Sequence, residues 1–135
     1  MKIGYFADGK WGHNAFEKLI SDKSISIPFI CVRNKTMDQT FKRYCNDYKI
    51  DYLKHKNVNS RDFLNIIKEY HCDLFVSMSF NQIFKSEIIS LPKHNIINCH
   101  AGKLPFYRGR NVLNWVLIND EKEFGITVHC VDKEI

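Results

Sequence analysis

The sequence predicts an α/β domain with a mainly parallel sheet, and two observations carry that prediction. Short, near-continuously apolar runs recur along the chain, and helix-period patterns fall between them. Such runs suit strands covered on both faces, because a half-exposed strand alternates polar and apolar residues instead. No repeat, low-complexity tract or linker breaks the alternation, so the 135 residues read as one domain.

The elements follow in order. Residues 2–7 (KIGYFA) form a first strand, and Phe16, Leu19 and Ile20 mark the apolar face of a first helix. A second strand covers 27–33 (IPFICVR). Ser60 is placed to cap a helix whose apolar residues are Phe63, Ile66, Ile67 and Tyr70. Residues 73–79 (DLFVSMS) and 95–99 (NIINC) are further strands. Val112, Trp115, Val116 and Leu117 lie on a third helix ending near Asn119 and Asp120, and 126–131 (ITVHCV) is the last strand.

Composition excludes several classes. A hydrophobic fraction of 44%, with 13% aromatic residues, supports a packed core rather than disorder. No apolar run approaches the roughly 20 residues that cross a bilayer, and the N-terminus reads straight into a strand rather than a signal peptide. A cytoplasmic protein with no membrane partner is expected. The five cysteines are odd in number, scattered and without a Cys-x-x-Cys pair, against both a disulfide framework and a zinc site. They read as small apolar side chains. The net charge of +5 is spread along the chain without a basic run, so no nucleic-acid partner is indicated. The excess suits anionic small molecules, such as a nucleotide or a polyglutamylated cofactor.

Two apparent motifs are weak. The stretch GYFADGKW (4–11) resembles a phosphate-binding loop, but Trp11 replaces the required Ser or Thr and Gly4 falls inside the first strand. What remains is a loop, Asp8-Gly9-Lys10-Trp11-Gly12, at the end of the sheet where ligands bind. His13, His55, His71 and His94 have no metal-ligand spacing, and His129, in the last strand, either pairs across the sheet or points into a site. No metal ligand set is assigned.

The stretch NCHAGKLPFYRGRN (98–111) is where chemistry concentrates. Asn98 and His100 are two apart on an extended segment, so their side chains project to one face. An amide donor can hold a developing oxyanion, and an imidazole can stabilise it or move a proton, a pairing that suits acyl transfer. The structural alternative is that Asn98 caps the strand end while His100 satisfies loop carbonyls. Gly102 permits close backbone approach, Pro105 stiffens the loop, and Arg108 and Arg110 offer planar cationic donors.

The longer string from Asn98 to Ile135 resembles the signature of the folate-dependent formyltransferases: Asn-x-His, Leu-Pro, Arg-Gly, a helix, a Gly and a strand. The resemblance extends back through FVSMSFNQIF (75–84) to the first strand. It implies a Rossmann-like, doubly wound domain with helices on both faces, forming the N-terminal catalytic domain. It implies that Asn98 and His100 are the catalytic pair. Gln82, Ile83, Phe84 and Arg110 would line a folate pocket, and Asp132, Lys133, Glu134 and Ile135 would begin a further folate-contacting loop. Asp8, Gly9, Lys10 and Trp11 would face the acceptor.

Within the family, RGRNVLNWVLIND looks most like the enzymes that formylate amino sugars carried on a dTDP or UDP nucleotide. The tRNA enzymes favour an Ala-Ala-Pro stretch after Arg-Gly, absent here. The implied reaction moves the formyl group of 10-formyltetrahydrofolate to a sugar amine, in bacterial surface-polysaccharide synthesis. Other acceptors, methionyl-tRNA or glycinamide ribonucleotide, and a non-catalytic folate- or nucleotide-binding module, are the alternatives. The family pattern continues into an Asp-Thr-Gly whose aspartate would follow Ile135, and into a C-terminal portion that often dimerises. The chain is therefore expected to be truncated at that side, with little transfer activity alone, and the resemblance implies a parent able to form a homodimer.

Overall fold

In the computed structural model, which describes residues 1–35 and 37–133, six strands form a single sheet. The elements are β1 (Ile3–Ala7), α1 (Gly9–Ser21), β2 (Phe29–Val32), α2 (Gln39–Tyr48), β3 (Asp51–Lys54), α3 (Arg61–Lys68), β4 (Leu74–Met78), α4 (Ser86–Ile89), β5 (Ile96–His100), α5 (Val112–Ile118) and β6 (Thr127–Cys130). The strand order is β3-β2-β1-β4-β5-β6. All neighbours pair parallel except β5 and β6, which are antiparallel. This is the doubly wound, mainly parallel architecture expected. The order reverses between β1 and β4, and ligands in such sheets bind in the crevice beyond the carboxyl ends of those strands.

Burial on both faces explains the near-continuous apolar runs. Every residue of β1 and β2 is buried. Alternate side chains separate into two cores, as a period of two demands. Ile3, Tyr5, Ile30, Val32 and Val76 pack with Phe16 of α1 and Phe41 and Tyr44 of α2. Phe6, Phe29, Phe75 and Ile96 pack on the other face with Phe63 and Ile67 of α3 and Ile88 and Ile89 of α4. Phe6 anchors the second core, with the rings of Phe29, Phe75, Phe80 and Phe84 edge-on around it at 5.2–5.6 Å between centroids.

The structure differs from the sequence reading in four places. First, the four-residue α4 is an additional element, and so are α2 and β3. Their sequences, QTFKRYCNDY and DYLK, are largely polar, because α2 buries only Phe41, Tyr44 and Cys45 and β3 is an edge strand. Second, the loop expected after β1 is a single residue: α1 begins at Gly9, so Gly9, Lys10 and Trp11 form its first turn. Third, Ile66 of α3 faces outward, and Tyr70 lies beyond the helix, stacked at a tilt on Phe29. Fourth, only Val112 and Val116 of α5 are buried, while Trp115 and Leu117 are exposed. The Ser60 cap is as expected: its hydroxyl accepts from the N–H of Phe63 at 3.4 Å.

Cys31, Cys45 and Cys72 are buried free thiols and Cys99 is half-buried, but Cys130, against the reading of the cysteines as core side chains, is exposed on the edge strand β6. Burial pushes Cys72 up to about 11 and Cys45 up to about 12, so these groups stay neutral. Among the described residues, no helix is long and apolar enough to cross a membrane.

Candidate active site

The chemistry-bearing residues gather at the carboxyl ends of β1, β4 and β5. On β5, Asn98 and His100 are half-buried and project to the same face. Asn98 pairs in register with Ser77 of β4 on one side and His129 of β6 on the other. Its Nδ2 lies 3.2 Å from His129 Nε2. The Nε2 of His100 lies 2.6 Å from the carbonyl oxygen of Tyr107. A carbonyl only accepts, so in the neutral ring the proton sits on Nε2 and the basic lone pair on Nδ1. His100 therefore does satisfy a loop carbonyl, and that contact fixes which nitrogen can take a proton.

The loop between β5 and α5 is shaped around this ring. A Cβ at Gly102 would meet the Tyr107 carbonyl oxygen and stand 2.7 Å from His100 Nε2. Only glycine fits there without moving the ring or the carbonyl that holds it. Thr127, opposite His100 on β6, pins the same loop: its hydroxyl donates to the Gly102 carbonyl at 2.7 Å and accepts from the Leu104 N–H at 3.2 Å. The Leu104–Pro105 peptide is cis. The Tyr107 hydroxyl donates to Glu121 at 2.6 Å and accepts from Asn119 at 3.2 Å, tying the loop to the end of α5. Arg108 turns back to the Pro105 carbonyl at 3.0 Å, and Arg110 is exposed ahead of α5.

The segment after β4 is braced from α3's side. Gln82 accepts from the Val58 N–H and donates to the His55 carbonyl, both at 2.9 Å. Asn59 donates to the Ile83 carbonyl at 2.9 Å and accepts from the Lys85 N–H at 2.8 Å. Phe84 is buried, stacked on Phe80 with centroids 5.8 Å apart. Of these three side chains, Ile83 alone stands out into solvent, 70% exposed. Asp132 and Lys133 are exposed beyond β6, and Glu134 and Ile135 lie outside the described residues.

At the switch point, Asp8 is ion-paired with Arg33, whose Nε lies 3.1 Å from Oδ2 but off the line of a hydrogen bond. Burial pushes the Asp8 carboxyl up, and Arg33 opposes that push. Arg33 also donates to the Ser79 carbonyl at 2.7 Å, joining β2 to the end of β4. Asp38, which sequence reading did not single out, caps α2 through the Phe41 N–H at 3.0 Å. The same carboxylate takes the Gly9 N–H at 3.1 Å and the His13 ring at 2.8 Å. Trp11 stands on the first turn of α1 with its ring edge-on to Phe124, at 6.4 Å. That contact brings the expected acceptor side next to the segment entering β6.

A half-buried amide donor and an imidazole of defined tautomer stand side by side at the carboxyl end of a parallel strand, groups able to hold developing negative charge and to move a proton. The formyl transferase family model matches residues 13–135, and the chain belongs to that family. The methionyl-tRNA formyltransferase of Desulforamulus reducens is 36% identical over 92 residues, 68% of this chain and 29% of that protein. The bifunctional polymyxin resistance protein ArnA of Wigglesworthia glossinidia brevipalpis is 34% identical over 101 residues, 75% of this chain and 15% of that protein. This chain thus spans less than a third of the length of either relative. The phosphoribosylglycinamide formyltransferase of Anaplasma phagocytophilum shares the fold, with a TM-score of 0.82 at 22% identity over 100% of this chain and 66% of its own. That of Bacillus halodurans gives 0.81 at 19% identity, over 98% of this chain and 73% of its own.

Proposed function

We propose that residues 1–135 form the catalytic domain of a formyltransferase that moves the formyl group of 10-formyltetrahydrofolate to the amine of a nucleotide-linked amino sugar. The observation that carries the reading is the Asn98–His100 pair on β5, with the ring tautomer set by Tyr107, in a chain of the formyl transferase family. As the amine attacks the formyl carbon, negative charge builds on the formyl oxygen, and an Asn98 N–H is the donor for it. His100 Nδ1 is the base for the proton lost from the amine. The folate supplies the one-carbon unit; the protein supplies position and electrostatics.

The donor set suits a folate. Exposed Ile83 offers apolar contact for a pterin beside a segment held still by Gln82 and Asn59, and the exposed guanidinium of Arg110 suits glutamyl carboxylates. Asp132 to Ile135 are the further folate-side positions. Asp8, Gly9, Lys10 and Trp11 face the acceptor. The nucleotide-sugar assignment rests on the RGRNVLNWVLIND stretch, which lacks the Ala-Ala-Pro of the tRNA enzymes. A second reading, methionyl-tRNA as acceptor, is favoured by one observation, the 36% identity to a methionyl-tRNA formyltransferase.

An acceptor screen decides between them. The full-length protein is supplied with 10-formyltetrahydrofolate and, separately, dTDP- and UDP-amino sugars, methionyl-tRNA and glycinamide ribonucleotide, and release of tetrahydrofolate is followed. Turnover with an amino sugar alone is expected. Turnover only with methionyl-tRNA transfers the assignment to the second reading, and binding of folate without turnover on any amine overturns both.

A further inference from the structure

We propose that His129 is a positioning residue for the transfer: it holds the Asn98 amide so that an N–H, and not the amide oxygen, is turned to the reacting carbonyl. This inference rests on the proposed role of Asn98. An asparagine amide can present either end with almost the same shape, and half a turn about its last bond would set oxygen lone pairs against the developing negative charge. Something must choose the end.

The choice is made by a short relay. His129 stands directly opposite Asn98 in the antiparallel β5–β6 pair. Its Nδ1 lies 2.9 Å from the carbonyl oxygen of Cys130. A carbonyl has no proton to give, so Nδ1 carries the ring proton and Nε2 of the neutral ring presents only a lone pair. Asn98 Nδ2, 3.2 Å from that Nε2, is therefore the donor. The opposite amide orientation would bring the Asn98 oxygen against the His129 lone pair, two acceptors face to face. With one N–H given to His129, the second N–H of the same nitrogen points about 120° away and is the one offered to substrate. A main-chain carbonyl of β6 thus sets the polarity of a side chain on β5, through one imidazole. Hydrogen-bond partners one step out from a metal ion orient its ligands in the same manner.

Kinetics on the full-length protein test this. His129→Ala is expected to lower kcat about 10- to 100-fold while KM holds, as for loss of an orienting partner. His129→Gln, whose side-chain oxygen can accept from Asn98, is expected to restore part of the loss. In an Asn98→Ala background, His129→Ala is expected to change nothing further, because the residue acts through Asn98. Losses that add, or an unchanged kcat in His129→Ala beside a crippled Asn98→Ala, overturn the inference and leave the site assignment standing. Full turnover by Asn98→Ala overturns the site assignment and this inference with it. If the variants fail to fold, long-range ¹H–¹⁵N correlation on the unaltered protein decides: an Nδ1–H ring with a bare Nε2 is expected for His129, and an Nε2–H ring overturns the proposal.

Discussion

At the scale of single residues, the site depends on close approach as much as on chemical type. Gly102 is the clearest case, since a methyl group there meets both the His100 ring and the carbonyl that holds it. With His100 as the proposed base, Gly102→Ala is expected to lower kcat by about 10²-fold, the penalty for misplacing such a group by an ångström, with thermal unfolding as the control for stability. Asp38 is the second case. Burial works against its charge, but the Phe41 N–H, the His13 ring and the Gly9 N–H together outweigh it and hold the carboxyl below its usual value. A depressed carboxylate stabilises the fold above the unfolded value of about 3.9 and loses that contribution as pH falls through the lower, folded value. Asp38→Asn, which keeps a capping oxygen, is thus expected to be less stable than the parent near pH 7. The gap should close as pH is lowered toward 3, as read from urea midpoints; a gap independent of pH would refute the charge argument.

At the scale of elements, β1 shows how a strand buried on both faces constrains its own composition. Its alternate residues feed two different cores, and Gly4 is where the rings of Phe29 and Phe75 close over the backbone. A Cβ at Gly4 would stand 2.6 Å from each of those rings. Gly4→Ala is expected to destabilise the domain by about 1–3 kcal/mol through overpacking, measured as a lower denaturant midpoint. The polar elements tell the converse story. α2 declared itself only by Asp38 and by the spacing of Phe41, Tyr44, Cys45 and Tyr48, one narrow stripe on a charged helix. β3 has neighbours on one side alone and no continuous apolar run to betray it.

At the scale of the whole molecule, the sheet ends on one side in the antiparallel edge strand β6. Ile126, just before β6, and Val128, on it, are exposed, Val128 by 59%, and the outer backbone of this edge strand is unpaired by any described strand. Apolar side chains on an open edge favour association between chains. The 135-residue chain is expected to scatter light increasingly with concentration, and Val128→Lys is expected to reduce that scattering without changing the circular dichroism spectrum.

Several features were determined by the sequence itself. Near-continuous apolar runs such as FICV and IGYFA belong to strands covered on both faces, and the two-residue spacing of Asn98 and His100 puts both on one face wherever that segment is extended. These are local consequences of backbone period, and local periodicity is written in order along the chain. Only the tertiary structure decided that His129 meets Asn98, across 31 residues, or that Asp38 joins His13, across 25. It also turned Gln82 and Phe84 inward as braces and left Ile83 outside. Those outcomes depend on strand register and on how loops close over the sheet, which arise from packing between distant segments and leave no periodic trace in either one.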